Sequence, residues 1–206
     1  MNSLSKKEAL NKLPFFISYF ITDPIEFGDT ANILKKNLEN SIKNNNINMI
    51  CFRDKISKDK DIEPLAKTTL NLANKYNIIS VINGDIKLAL QLGFNGVHLR
   101  SIQFNEIEFA NQNNLITIVS CHNEDDIKKA KQLKANIVTY SPIFYKESKG
   151  DPKGIENLNY TVKKYQNNNF KIIALGGIIT DEQVKQIKST NCNGFASIRY
   201  FSSTNK

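Results

Sequence analysis

The chain has 206 residues, 40% of them hydrophobic, and a formal net charge of +8, which suits one domain over residues 1–206 with a sizeable core. No apolar run approaches the roughly 18 residues of a membrane span, and the opening Met1-Asn-Ser-Leu-Ser-Lys-Lys7 lacks the apolar centre of a signal peptide, so a cytoplasmic protein without membrane contact is expected. The lysines are mixed with acids, as in Glu124-Asp-Asp-Ile-Lys-Lys-Ala-Lys131, which reads as solvated helix faces and not as a nucleic-acid surface; Cys51, Cys121 and Cys192 lie far apart without a Cys-x-x-Cys pair, against a disulfide frame or a sulfur-bound metal.

In chain order, an amino-terminal piece, Leu4–Leu13, precedes the first apolar, β-branched run at Phe16–Ile21. Further runs follow at Ile47–Phe52, Ile78–Ile82, Gly96–Leu99, Leu115–Val119, Asn136–Tyr140, Phe170–Leu175 and Gly194–Ile198. Between them, Ala31–Ile42, Ile62–Tyr76, Asp125–Leu133, Ile155–Tyr165 and Asp181–Lys188 carry apolar residues at helical spacing. Eight strands alternating with helices predict a parallel α/β sheet closed into a (β/α)8 TIM barrel, although the chain is short for one. The sequence ends soon after the eighth run, so the eighth outer helix is expected to be reduced or absent. Its flank would then be covered by Leu4–Leu13 or by a second subunit, and a homodimer is expected on that ground.

In such a barrel the active site lies at the carboxyl ends of the strands. After the second run, Arg53 and Lys55 are two apart, so extended backbone aims both the same way, as a fork for an anion, while Asp54 points elsewhere. A solvated loop cluster would have the same composition. Asn83-Gly84-Asp85 follows the third run. His98 lies within Gly96-Val-His-Leu99 and reads as a satisfied interior histidine. After the fifth run, Ser120 and His122 share a side, with Cys121 turned away into packing, and an imidazole there can take and give a proton at neutral pH.

The loop Ser141-Pro-Ile-Phe-Tyr-Lys-Glu-Ser-Lys-Gly-Asp-Pro-Lys153 reads as a lid in which Lys146 or Lys149 could neutralise a phosphate. Lys171-Ile-Ile-Ala-Leu-Gly-Gly-Ile178 stops at a glycine pair just before a helix-like segment. Gly176 and Gly177 there could present backbone N–H groups to a phosphate, or form a plain tight turn.

Together, Tyr19-Phe-Ile-Thr-Asp23, Cys51-Phe-Arg-Asp-Lys55, Val81-Ile-Asn-Gly84, Gly96-Val-His-Leu99, Ser120-Cys-His122, Ser141-Pro-Ile-Phe144 and Ala174-Leu-Gly-Gly-Ile178 resemble the thiamine phosphate synthase and TenI superfamily across nearly the whole chain. The resemblance implies a (β/α)8 barrel acting on a phosphorylated thiazole. Two aspartates of the synthase pattern, which hold magnesium, are replaced here: one by Gly84, the other within Arg100-Ser-Ile-Gln103.

The asparagine-glycine pair instead resembles TenI thiazole tautomerases. On that likeness the expected function is aromatisation of carboxythiazole phosphate by proton transfer through His122, with no cofactor and no metal. Arg53, Lys55, Asn83, Ser120, Lys149, Gly176, Gly177 and Arg199 are the expected substrate contacts. Arg199, where the family usually has small residues, would either bind the phosphate or block it. The alternatives are a thiamine phosphate synthase, which would use Mg and hold a pyrimidine diphosphate on Arg53, Lys55 and Asn83, and a barrel that binds a phosphometabolite without turnover.

Overall fold

A computed structural model describes residues 4–57, 59–145 and 150–202. Eight parallel strands, β1 (Ile17–Ile21), β2 (Met49–Phe52), β3 (Ile79–Asn83), β4 (Gly96–Leu99), β5 (Ile116–Cys121), β6 (Ile137–Tyr140), β7 (Lys171–Leu175) and β8 (Gly194–Ser197), pair in chain order and close into a barrel. At the seam Ile17 faces Gly194 and Tyr19 faces Ala196. The helices are α1 (Lys6–Lys12), α2 (Pro24–Phe27), α3 (Ala31–Asn44), α4 (Asp59–Lys75), α5 (Ile86–Leu92), α6 (Ile107–Gln112), α7 (Glu124–Gln132), α8 (Gly154–Tyr165) and α9 (Asp181–Lys188). The expected TIM barrel is therefore present.

The core has two layers, separated by the two-residue alternation of each strand. Ile17, Tyr19, Met49, Cys51, Ile79, Val81, Ile116, Ile118, Ile137 and Ile173 fill the interior. Phe20, Ile50, Ile82, Val97, Val119, Val138 and Ile172 face outward onto Leu38, Ile127, Leu158 and Ile187 of the helices. Helices α5 and α6, with seven and six residues, are too short for a periodicity window of about 11–18 residues to register. Local chemistry makes α5 instead: the Asp85 carboxylate accepts the Leu88 N–H at 2.9 Å, and Gly93 ends the helix in left-handed geometry.

The flank of β8 differs from expectation. Leu4–Leu13 does not cover it: α1, started by a Ser5–Glu8 capping box, places Ala9 and Leu13 in the interior layer and ties Lys6 Nζ to Asn111 Oδ1 at 2.6 Å. Among the described residues, the 3-10 turn Arg199–Phe201 closes this flank and no α-helix follows β8. The Phe201 ring lies 5.1 Å from Phe20 and 5.6 Å from Phe195, centroid to centroid, and its carbonyl accepts Ser41 Oγ–H at 2.7 Å. The turn's aromatic side chain supplies the apolar cover that a helix stripe would have given, so this flank no longer argues for a second subunit.

Phe201→Ala removes a fully buried ring from this cluster, and the expected loss is about 3–5 kcal/mol of stability. Urea unfolding of the two proteins measures it; a loss below about 1 kcal/mol would mean that the flank is held by other contacts.

Candidate active site at the carboxyl ends of the strands

The mouth of the barrel holds a cleft of two joined lobes. The larger, about 360 Å³, is lined by Arg53, Lys55, Asn83, His98, Arg100, Ser120, His122 and Ser141. The smaller, about 240 Å³, is lined by Asp23, Glu26, Gly177, Ser197 and Arg199, and the two share Leu175, Gly176 and Ile198.

In the larger lobe Arg53 and Lys55 face the cavity as alternation required, and Asp54 turns away to accept the N–H groups of Ile56 and Ser57 at 2.8 and 2.9 Å. Thr22 braces the base of Arg53, its Oγ1 accepting the Arg53 N–H at 2.9 Å and donating to the Arg53 carbonyl at 3.1 Å. Asp23 pairs with the Arg53 guanidinium while its other oxygen accepts the Ile25 N–H at the start of α2. The Asn83 side-chain amide donates to the His98 carbonyl at 3.1 Å.

Two histidines do different things. His98 is buried beneath the lobe: Nδ1 lies 3.0 Å from Tyr19 Oη, and Nε2 lies 3.0 Å from Ser120 Oγ and 3.3 Å from Thr139 Oγ1. Burial, with the nearby Arg53 charge second, pushes its pKa down to about 4, so the ring is neutral near neutral pH. A neutral imidazole donates at one nitrogen and accepts at the other, and these hydroxyls satisfy either tautomer. His98 is thus the satisfied interior histidine expected.

His122 stands exposed at the rim. Its Nδ1 is 3.3 Å from the Ser141 carbonyl oxygen and 3.2 Å from Ser141 Oγ. Protonated, Nδ1 donates to the carbonyl and Nε2 is a base; unprotonated, Nδ1 accepts the Ser141 O–H and Nε2–H is an acid. The other side of β5 carries no chemistry, since Cys121 is buried and its thiol pKa is raised by burial. Burial likewise pushes the Cys51 and Cys192 thiols up to about 12.

The smaller lobe corrects one expectation. The start of α9 is not open to a ligand: Thr180 and Gln183 form a capping box, Gln183 Oε1 also accepts the Ile179 N–H at 2.7 Å, and Asp181 occupies the first turn. What remains is the glycine pair. Gly176 and Gly177 both have positive φ, and a Cβ on Gly177 would lie 2.5 Å from the Tyr145 carbonyl oxygen, so the loop after β6 demands glycine there. Carbonyls of this stretch bind that loop, with the Phe144 N–H donating to Gly176 O at 3.0 Å, while the Gly177 and Ile178 N–H groups donate to no described residue. Asp23 and Glu26 line this lobe beside Arg199, so an anion bound there would be held by those amides.

Magnesium does not fit these residues. The ion usually takes one or two carboxylates together with substrate phosphates, yet among the described residues no Asp or Glu lines the larger lobe, and Asp23, Asp54 and Asp85 each accept a hydrogen bond that starts a helix or loop. Of the expected contacts, Arg53, Lys55, Asn83, Ser120 and His122 come together in the larger lobe, Gly176 in both lobes, and Gly177 and Arg199 in the smaller; Lys146 and Lys149 lie outside the described residues. Arg100 and Ser141 were not among those expected. Alternation carried one residue past β4 and β6, from His98 to Arg100 and from Thr139 to Ser141, would have placed both in the mouth.

A family model described as thiamine monophosphate synthase matches residues 18–201. The putative thiamine-phosphate synthase 2 of Aquifex aeolicus is 33% identical, over 89% of this chain and 96% of its own length. The thiamine-phosphate synthase of Clostridium tetani is 31% identical, over 80% and 78% respectively. In fold, the chain is similar to the thiamine phosphate pyrophosphorylase from Pyrococcus furiosus, with a TM-score of 0.72 and 21% identity over 92% of this chain and 87% of that one. These names support the synthase alternative better than the expected tautomerase.

Because the unfolded chain protonates a histidine near its ordinary 6.5 and the folded one protonates His98 only at about 4, the His98 contribution to stability is complete above pH 6.5 and falls by ~3 kcal/mol as the pH drops to 4. The check is urea unfolding of the wild type and His98→Gln between pH 7 and 4. The difference in stability between them should shrink with acid, and a constant difference would show that folding does not lower the His98 pKa.

Proposed function

The chain belongs to the thiamine monophosphate synthase family, and on that premise we propose that it joins a pyrimidine diphosphate to a thiazole phosphate in thiamine biosynthesis. The observation that carries this reading is the two-lobed mouth, with cations in the larger lobe and a glycine pair in the smaller. Two phosphorylated partners that must meet need two anion sites around one shared floor.

The diphosphate lies on Arg53 and Lys55, the thiazole phosphate on the amides at Gly177 and Ile178, and the rings meet over Leu175 and Ile198. The thiazole nitrogen then attacks the pyrimidine methylene carbon as its C–O bond breaks, and the bonding electrons leave with the diphosphate. The protein's part is placement and fixed positive charge around the leaving group. Asp23 serves indirectly, by aiming Arg53.

The second reading, tautomerisation of carboxythiazole phosphate, draws on the His122–Ser141 geometry, which suits a proton shuttle, and on the absence of converging carboxylates among the described residues. It takes the same phosphate in the same lobe and moves a proton through His122 Nε2, with no metal required.

One pair of assays on the purified protein separates these. Thiamine phosphate formed from the two phosphorylated substrates, with Lys55→Ala lowering kcat/KM by about 10–100-fold and His122→Asn by much less, is the expected result. Aromatisation of the thiazole tautomer that His122→Asn abolishes, without condensation, would establish the second reading. Tight binding of thiazole phosphate with neither product would leave a binding barrel.

A further inference from the structure

Gly84, Arg100 and Gln103, which stand where the synthase pattern has its magnesium-holding aspartates, together brace an arginine. Arg100 follows β4, lines the same lobe as Arg53 and Lys55, and is held from below. Gln103 Oε1 accepts both the Arg100 backbone N–H, at 3.0 Å, and its Nε–H, at 2.9 Å. Gln103 Nε2 in turn donates to the Gly84 carbonyl at 2.9 Å and to Glu106 Oε1 at 3.0 Å. Gln103 is buried, with both polar atoms of its amide occupied. Gly84 gives it room: a Cβ there would lie 3.3 Å from Gln103 Oε1 and 3.5 Å from Arg100 Nε, at a φ of +73°.

The two Nη groups of Arg100 make no hydrogen bond or ion pair with a described residue. This differs from Arg53, whose charge is shared with Asp23. A guanidinium anchored through Nε keeps its outer fork in one plane, the geometry that two oxygens of a phosphate or carboxylate match. The anchor also removes rotamer freedom that a surface arginine would lose on binding.

We propose that Arg100, braced by Gln103 and Gly84, is a metal-independent anion site for the diphosphate of the substrate, supplying beside Arg53 and Lys55 the positive charge that the missing carboxylates cannot recruit as magnesium. The site rests on the condensation reading for the identity of its ligand, and the chemistry it shares with the tautomerase reading is an anion at the end of the substrate remote from the thiazole phosphate. There the anion would be a carboxylate.

The test is calorimetric titration of inorganic pyrophosphate, and separately of thiazole-2-carboxylate, into wild type, Arg100→Gln and Gln103→Leu with excess chelator. Arg100 is exposed, so Arg100→Gln keeps the fold. Pyrophosphate is expected to bind the wild type without metal, about 10–100-fold more weakly to Arg100→Gln, and about 3–10-fold more weakly to Gln103→Leu, where the fork is present but no longer held. Unchanged pyrophosphate affinity in Arg100→Gln, or binding that needs added magnesium, overturns the proposal. Loss confined to thiazole-2-carboxylate overturns the diphosphate assignment and marks a carboxylate site. Arg100-dependent pyrophosphate binding in a protein that makes no thiamine phosphate would sink the condensation reading and leave the anion site standing.

Discussion

The period of two along each strand of a closed parallel barrel organises this molecule. Carried past the strand ends it still decides which side chains reach the mouth. Met49 and Cys51 fill the interior and Arg53 and Lys55 continue their side; Ile116 and Ile118 lead to Ser120 and His122; Ile137 and Thr139 lead to Ser141; His98 leads to Arg100. A one-residue slip in any ladder would send that strand's polar groups into the helix layer and its outward apolar residues into the cleft. The site is thus bound to the register, and the register is held by the two-layer core.

The electrostatics follow from the same ordering by depth. His98, buried beneath the mouth, is neutral because burial and the nearby Arg53 both disfavour its proton. Above it come the cations, and His122 stands at the rim, where its ring can exchange protons with a bound ligand. The neutral layer of Tyr19, His98, Ser120 and Thr139 provides polar ballast under the charges without adding to them. A protonated His98 would crowd Arg53 and cost the interior a buried charge.

Strand order and the barrel were legible because β-branched runs and amphipathic stretches alternate over the whole chain, and Arg53, Lys55, Ser120 and His122 were legible by spacing. What escaped was set by contacts between distant segments. The foot of the barrel is stopped by α1 because Ala9 and Leu13 meet interior residues from several strands, and no local pattern distinguishes that from packing against the outer face. The aromatic closure by Phe201 needs Phe20 and Ser41, far away in the chain. The expectation of TenI chemistry rests on the Asn83-Gly84 pair and on the two replaced aspartates, at Gly84 and within Arg100-Ser-Ile-Gln103; in space the same residues stand together as an arginine brace.

The helix at the foot has one more consequence. With Ala9 and Leu13 stopping the far end, the barrel is a blind well and not a conduit: whatever enters the mouth leaves by it.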